Sequence, residues 1–199
     1  SRINMIRQDI SDECLRFADN KEGIYTLTVP TGGGKTLSSL RYALKHAEKN
    51  NKERIIYILP YTTIIEQNAE EVRRALNCND DLLEYNSNVL EDDKGENYKL
   101  LTHRWSNKII YTTMVQFLNT FYNKGTQDMR RMHNLLNSVI IFDEIQTIQI
   151  KCIELFNGCI NYLNKIGNST IVLCSATQPE LNKSRVPIYY CKNREIIKN

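Results

Sequence analysis

Val29-Pro30-Thr31-Gly32-Gly33-Gly34-Lys35-Thr36 decides how this sequence is read. An apolar run, Ile24 to Val29, leads into it, and a segment with helical spacing, Leu37 to Ala47, leads out. A glycine-rich turn between a strand and a helix N-terminus gathers backbone N–H groups at the positive end of the helix dipole. Its glycines let the backbone come close to an anion. In such a turn Lys35 reaches the β- and γ-phosphates of a nucleoside triphosphate, and the Thr36 hydroxyl sits on Mg²⁺. Thr31, Gly32, Gly33, Gly34, Lys35 and Thr36 then form the phosphate cradle, with ATP and Mg²⁺ as the expected cofactors. Val29 departs from the general pattern, standing where a first glycine is the rule. A glycine turn that binds nothing is the competing reading, and the strand before it and helix after it argue against that.

Working outward, strands and helices alternate. A helix is predicted over Ile3 to Ala18, with apolar positions at Ile3, Ile6, Ile10, Cys14, Leu15 and Phe17. Strand Ile24 to Val29, helix Thr36 to Lys49 and strand Arg54 to Leu59 follow. Pro60 ends that strand, and Thr62 or Thr63 can cap a helix running to Leu76. Next come a short strand at Leu82 to Tyr85, an exposed loop at Asn86 to Glu96 and a short helix at Tyr98 to Trp105. The pattern continues with strand Lys108 to Tyr111, helix Thr113 to Tyr122, a break at Gly125 and helix Asp128 to Leu136. Strand Ser138 to Phe142 precedes a core-facing helix, Ile150 to Ile166, closed by Gly167. Strands at Thr170 to Cys174 and Pro187 to Cys191 complete the reading. Nearly continuous apolar strands alternating with helices predict one α/β domain, its mostly parallel sheet covered by helices on both faces.

Composition excludes little. The net charge of +3 among 199 residues does not announce nucleic acid, and Arg73-Arg74 and Arg130-Arg131 read as solvated helix faces before they read as a DNA groove. No apolar run is long enough for a membrane span, and no N-terminal segment reads as a signal peptide. No membrane partner is expected, and the chain should stay in the compartment where it is made. Six cysteines (Cys14, Cys78, Cys152, Cys159, Cys174 and Cys191) show no C-x-x-C pair or zinc spacing, so reduced, buried thiols are expected. The chain opens on Ser1 and is patterned by Ile3, which suggests a piece of something longer.

A phosphate loop needs a carboxylate for Mg²⁺, delivered at the C-terminal end of a neighbouring strand. Val139-Ile140-Ile141-Phe142-Asp143-Glu144 supplies one. Asp143 is the candidate metal-side residue, and Glu144 is placed to orient and deprotonate the attacking water. An apolar strand ending in two acids is also what a plain strand end looks like; the pairing with Gly34-Lys35-Thr36 gives it meaning. Three further stretches each follow an apolar strand: Pro60-Tyr61-Thr62-Thr63-Ile64-Ile65-Glu66-Gln67-Asn68, Tyr111-Thr112-Thr113-Met114-Val115-Gln116 and Ser175-Ala176-Thr177. Loops at the C-terminal ends of parallel strands share one rim. Thr62, Thr63, Thr112 and Thr113 there are candidates for hydrogen bonds to phosphodiester oxygens, without sequence preference. Helix caps and turn residues are the plain alternative for Thr62, Thr112 and Ser175. Gln8, after Arg7, is a candidate adenine reader, with a solvent-facing helix residue as the other reading.

In order and spacing these pieces resemble the helicases of superfamily two. Their first motif carries a small residue where the general loop has glycine, which accounts for Val29. Asp143-Glu144-Ile145-Gln146 resembles the acidic motif and Ser175-Ala176-Thr177 the coupling motif. Gln146 stands where most relatives have His or Asp, a departure shared with superfamily one. Leu27 to Ser39, Arg54 to Asn68, and Trp105 through Thr113-Met114-Val115-Gln116-Phe117 to Asp143-Glu144-Ile145-Gln146-Thr147 look like the helicase part of the CRISPR-associated helicase–nuclease of type I interference systems. The resemblance covers nearly the whole chain and implies its first RecA-like lobe, over residues 1–199. It implies roles for Lys35, Glu144 and Gln146 in catalysis, and for Ser175, Ala176 and Thr177 in relaying nucleotide state. It further implies single-stranded DNA as track, a crRNA-guided surveillance complex as recruiter, and a prokaryotic cytoplasm.

That family also uses a fused HD nuclease domain and a second RecA-like lobe. Neither is found here: His46, His103 and His133 have no carboxylate or histidine partner at ligand spacing. An arginine supplied in trans is worth about 10³–10⁵ in rate in related phosphoryl transfers, so this lobe alone is expected to hydrolyse ATP weakly or not at all. Two rival readings stay open from the residues. One is a P-loop phosphotransferase, for which no acceptor site or lid is legible. The other is a nucleotide-dependent interaction module without turnover.

Overall fold

The computed structural model describes residues 2–77, 82–85, 107–123 and 126–197. Within them the chain runs α1 (Arg2–Phe17), β1 (Ile24–Thr28), α2 (Lys35–Lys49), β2 (Arg54–Leu59), α3 (Thr62–Leu76), β3 (Leu82–Tyr85) and β4 (Ile109–Thr113). It continues with α4 (Met114–Tyr122), α5 (Thr126–Leu135), β5 (Ser138–Phe142), α6 (Ile153–Lys165) and β6 (Thr170–Ser175). The six strands form one sheet in the order β1-β6-β5-β2-β4-β3, and every pairing is parallel.

Successive side chains of a strand point to opposite faces, and here both faces are buried. Ile55, Tyr57 and Leu59 of β2 join Tyr42 and Ala43 of α2 and Ile65, Ala69 and Val72 of α3. Ile56 and Ile58 join Phe117 of α4 and Phe156, Ile160 and Leu163 of α6. Helices α1 to α3 thus cover one face and α4 to α6 the other. Tyr57 and Tyr111, in register on adjacent strands, stack with ring centroids 4.7 Å apart. Because all strands run the same way, the segments after β1, β2, β4, β5 and β6 emerge on one edge. β6 lies between β1 and β5, so the phosphate loop and the two acids flank it.

Four expectations are corrected. Pro187 to Cys191 is not a strand. Two of its amides are met by side chains instead, Asn182 Oδ1 accepting from Ile188 N and Asn161 Oδ1 from Tyr189 N, each at 3.0 Å. Pairing with β1 comes later, in a parallel bridge between Thr26 and Glu195. The helix expected from Ile150 begins as a 3₁₀ turn, Ile150–Cys152, and Ile150 and Ile166 are 87% and 72% exposed. The core-facing stripe is Phe156, Cys159, Ile160 and Leu163. Tyr61, not Thr62 or Thr63, is the N-cap residue of α3, and its side chain makes no cap hydrogen bond. β4 extends through Thr112 and Thr113, which pair with Ile58 and Leu59 and are not loop residues. The expected loop at Asn86 to Glu96, the short helix at Tyr98 to Trp105 and the Gly125 break lie outside the described residues.

Arg131 is only 6% exposed, so one half of the Arg130-Arg131 pair is not a solvated face. Gly167, in turn, is required by space: a Cβ there would meet Leu163 O at 2.7 Å and Leu136 Cδ2 at 2.9 Å.

His46 of α2 ties both ends of the core together. Its Nδ1 lies 3.0 Å from Ala18 O, its Nε2 2.8 Å from Thr170 Oγ1, and its ring stacks on Tyr42. Burial disfavours the imidazolium and holds the His46 pKa below the ordinary value. The unfolded chain therefore takes up a proton before the folded one does. Stability contributed by neutral His46 is present above about pH 6.5 and declines as pH falls below it. Thermal midpoints measured between pH 5 and 8 should fall on the acid side, with a shallower slope in His46→Gln.

Candidate active site

The turn after β1 holds two left-handed glycines, Gly32 at φ 79° and Gly34 at φ 77°, the second standing at the N-cap of α2. Between them Gly33 is buried, and its N–H donates to Pro30 O at 3.0 Å. A Cβ on Gly33 would lie 2.6 Å from Val29 Cγ1 and 2.9 Å from Pro30 O. Val29 is thus the floor of the loop, and its bulk is why Gly33 must be glycine. Gly33→Ala should weaken nucleotide binding at least tenfold, and Val29→Ala in the same chain should recover part of that loss, as a two-variant titration would show.

Lys35, the first residue of α2, reaches across the sheet edge. Its Nζ is 2.8 Å from Asp143 Oδ1 and also contacts Glu144 Oε1. Asp143 follows β5 and is anchored through its N–H to Ile58 O at 2.9 Å. Glu144 takes a left-handed conformation, φ 53°, uncommon for a side chain with a Cβ. Its own N–H donates to Asp143 Oδ1 at 2.9 Å, and its Oε2 accepts from Gln146 Nε2 at 2.5 Å. The two acids are therefore held by one lysine, one glutamine and a bent backbone.

Electrostatics separates them. Burial pushes the Asp143 carboxyl above the ordinary aspartate value, and Lys35 only partly offsets it. At Glu144 burial works in the same sense, but hydrogen bonds from Lys35 and Gln146 prevail and hold its pKa low. Burial disfavours the Lys35 charge, yet the two carboxylates outweigh that and keep its pKa above the ordinary lysine value.

A cleft of about 680 Å³ opens onto this cluster, lined by Gln8, Thr31, Gly32, Gly34, Lys35, Thr36, Asn68, Asp143 and Glu144. Thr36 Oγ1 donates to Asn68 Oδ1 of α3 at 2.7 Å. Gln8 is an exposed residue of α1, where its Nε2 donates to Asp12 Oδ1 at 3.0 Å, and it also lines the cleft. Among the cleft residues given no role from the sequence are Arg7 and Asn68. Arg7 donates from Nε to Gly32 O at 3.0 Å and braces the loop from α1, and Asn68 touches Thr36. Their only signals were adjacency to Gln8 and a place at the end of the Pro60 to Asn68 stretch.

The rim is narrower than expected. Thr63 is exposed and Thr62 half-buried, but Thr112 and Thr113 are 0% and 7% exposed. Thr113 Oγ1 is occupied in capping α4, accepting from Gln116 N at 3.2 Å. Ser175 is buried, its hydroxyl donating to Thr177 O, while Ser175 O accepts from Val29 N at 3.1 Å. Ser175 to Thr177 is thereby joined to the first residue of the phosphate loop. Among the described residues no group of His, Cys, Asp and Glu has the arrangement of a metal cluster.

Residues 8–184 match the model of the DEAD/DEAH box helicase family. The chain belongs to the DEAD/DEAH box helicases. The matched span runs from Gln8 past Ser175 to Thr177, so it takes in both halves of the cleft. This helicase domain is 26% identical over 182 residues to the CRISPR-associated nuclease/helicase Cas3 of Haloferax volcanii, a match covering 79% of this chain and 19% of that protein. It spans about a fifth of the length of that curated relative. Its fold is shared with ATP-bound T. fusca Cas3, at TM-score 0.69 and 15% identity over 83% of this chain and 20% of that one. It is shared also with the DUF1998 helicase MrfA bound to DNA and AMPPNP, at TM-score 0.62 and 16% identity over 87% of this chain and 24% of that one. The expected α/β, RecA-like lobe is the fold observed. No helix among the described residues is long and apolar enough to cross a membrane.

Proposed function

We propose that this domain is the ATP-binding first lobe of a DNA helicase or translocase working in CRISPR interference. The observation that carries the reading is the convergence of Lys35, Asp143 and Glu144 at the mouth of a cleft floored by the glycine loop. A triphosphate entering that cleft competes with the carboxylates for the Lys35 ammonium. The Gly32 to Thr36 backbone offers N–H groups at the start of α2, where the helix dipole favours negative charge. Thr36 and Asp143 face the same cleft with hard oxygen ligands, the donor type Mg²⁺ takes. When bound, the ion neutralises phosphate charge. Once Lys35 turns to the phosphates, Glu144 loses the contact that lowers its pKa and becomes a better base for the attacking water. Gln146 keeps that carboxylate aimed.

Exposed Thr63 and half-buried Thr62, at the start of α3 on the same edge, are the side chains best placed to meet single-stranded DNA. The Cas3 likeness supports the remainder: a longer protein with a second RecA-like lobe and an HD nuclease domain, recruited by a crRNA-guided complex in a prokaryotic cytoplasm. The test is ATP turnover by the full-length protein with and without single-stranded DNA. Turnover should rise with DNA, and the effect should weaken with salt. Turnover indifferent to DNA, or a phosphorylated small-molecule product, would rule the reading out.

A further inference from the structure

A hydroxyl has one proton and two lone pairs, so where its proton goes decides where its lone pairs point. Thr36 gives its proton to Asn68 Oδ1, 2.7 Å away. The Asn68 amide cannot turn freely, because its Nδ2 donates to Ile64 O, one turn back on α3, at 3.2 Å. The oxygen is therefore the end that faces Thr36. With its proton engaged, Thr36 Oγ1 has only lone pairs left to offer to the cleft that it lines together with Asp143. A hydroxyl without this acceptor is free to turn its proton toward the cleft, into the direction a cation needs.

We propose that Asn68 is a positioning residue for Mg²⁺: it takes the Thr36 hydroxyl proton and fixes that oxygen as a metal ligand. The inference rests on the reading of Thr36 as a Mg²⁺ ligand and adds a partner from α3 that acts through the Thr36 hydroxyl. Residues that orient metal ligands from behind typically contribute 10–100-fold in metal affinity. The contribution should therefore appear in the Mg²⁺ dependence of nucleotide binding and not in binding as such.

The experiment titrates a fluorescent ATP analogue into the full chain, in Mg²⁺ and in EDTA, and compares the ratio of the two dissociation constants. Asn68→Ala should shrink that ratio at least tenfold while leaving the EDTA constant within about twofold. Asn68→Asp, which keeps an acceptor oxygen, should retain most of the ratio. Thr36→Ala should shrink the ratio at least as much as Asn68→Ala does, and adding Asn68→Ala to it should change nothing further, because both act through one oxygen. An unchanged ratio in Asn68→Ala overturns the proposal, as does a loss that still accumulates on Thr36→Ala. A rise in both constants together, with a lower melting temperature, also overturns it by showing a merely structural role. If Thr36→Ala keeps its full Mg²⁺ dependence, or the unaltered chain has none, the metal reading fails first and the proposal with it.

Discussion

Lys35→Ala should abolish measurable nucleotide binding and still yield a folded domain. The Lys35 ammonium is a cleft cation that both acids already hold, and a phosphate would compete for it. Hydrogen bonds to charged groups contribute about 1.5–3 kcal/mol each, so losing two phosphate contacts raises the dissociation constant by roughly 10² or more. Folding survives because the core layers do not depend on this side chain. The variant nonetheless leaves Asp143 buried without its cation. Its carboxyl, already raised, rises further, and a group with a raised folded pKa stabilises below its unfolded pKa and loses that contribution as pH climbs. The stability deficit of the variant should thus be largest at neutral pH, about 1–3 kcal/mol, and shrink toward pH 4. Calorimetric titration with ATP and thermal melts across pH measure the two effects. ATP affinity unchanged by the substitution would remove Lys35 from the site.

Glu144→Gln in the full-length protein should separate binding from hydrolysis. The amide keeps the shape of the side chain but cannot accept a proton from water, and loss of a positioned general base costs about 10²–10⁴ in rate. One of the two anions that compete for Lys35 disappears, so ATP should bind as tightly as before or a few-fold more tightly. Single-turnover hydrolysis alongside equilibrium binding distinguishes this from general damage. A variant that hydrolyses ATP normally would assign the proton to another group.

Long-range pairing was the legible part of this site. Lys35 and Asp143 are far apart in sequence, but each sits at a strand end in an all-parallel sheet, and parallel strands bring their ends to one edge. The apolar runs of β1, β2, β5 and β6 made that inference available. What was not legible depends on packing between helices. Whether Asn68 faces Thr36, or Arg7 faces Gly32, is set by how α1 and α3 pack beside α2, and no periodicity in the sequence reports it. The same limit explains Thr112 and Thr113. Their hydroxyls suggested a surface, but one more strand residue each turned them into a ladder pair and a cap. At Pro187 to Cys191 the β-rich composition misled for a different reason: asparagine side chains of α6 and the preceding turn satisfied amides that a strand would have paired.

The bridge between Thr26 and Glu195 has a consequence for how the molecule behaves in company. β1 is an outer strand, and an outer strand with free N–H and C=O groups is a template on which another chain can add itself. Here Thr26 N donates to Arg194 O at 2.8 Å and Ile196 N donates to Thr26 O at 2.9 Å. Cys191 N adds a longer bond to Ile24 O. Residues 191–196 thus act as a selvedge, occupying backbone groups of the sheet margin that β-augmentation by a neighbouring molecule would need.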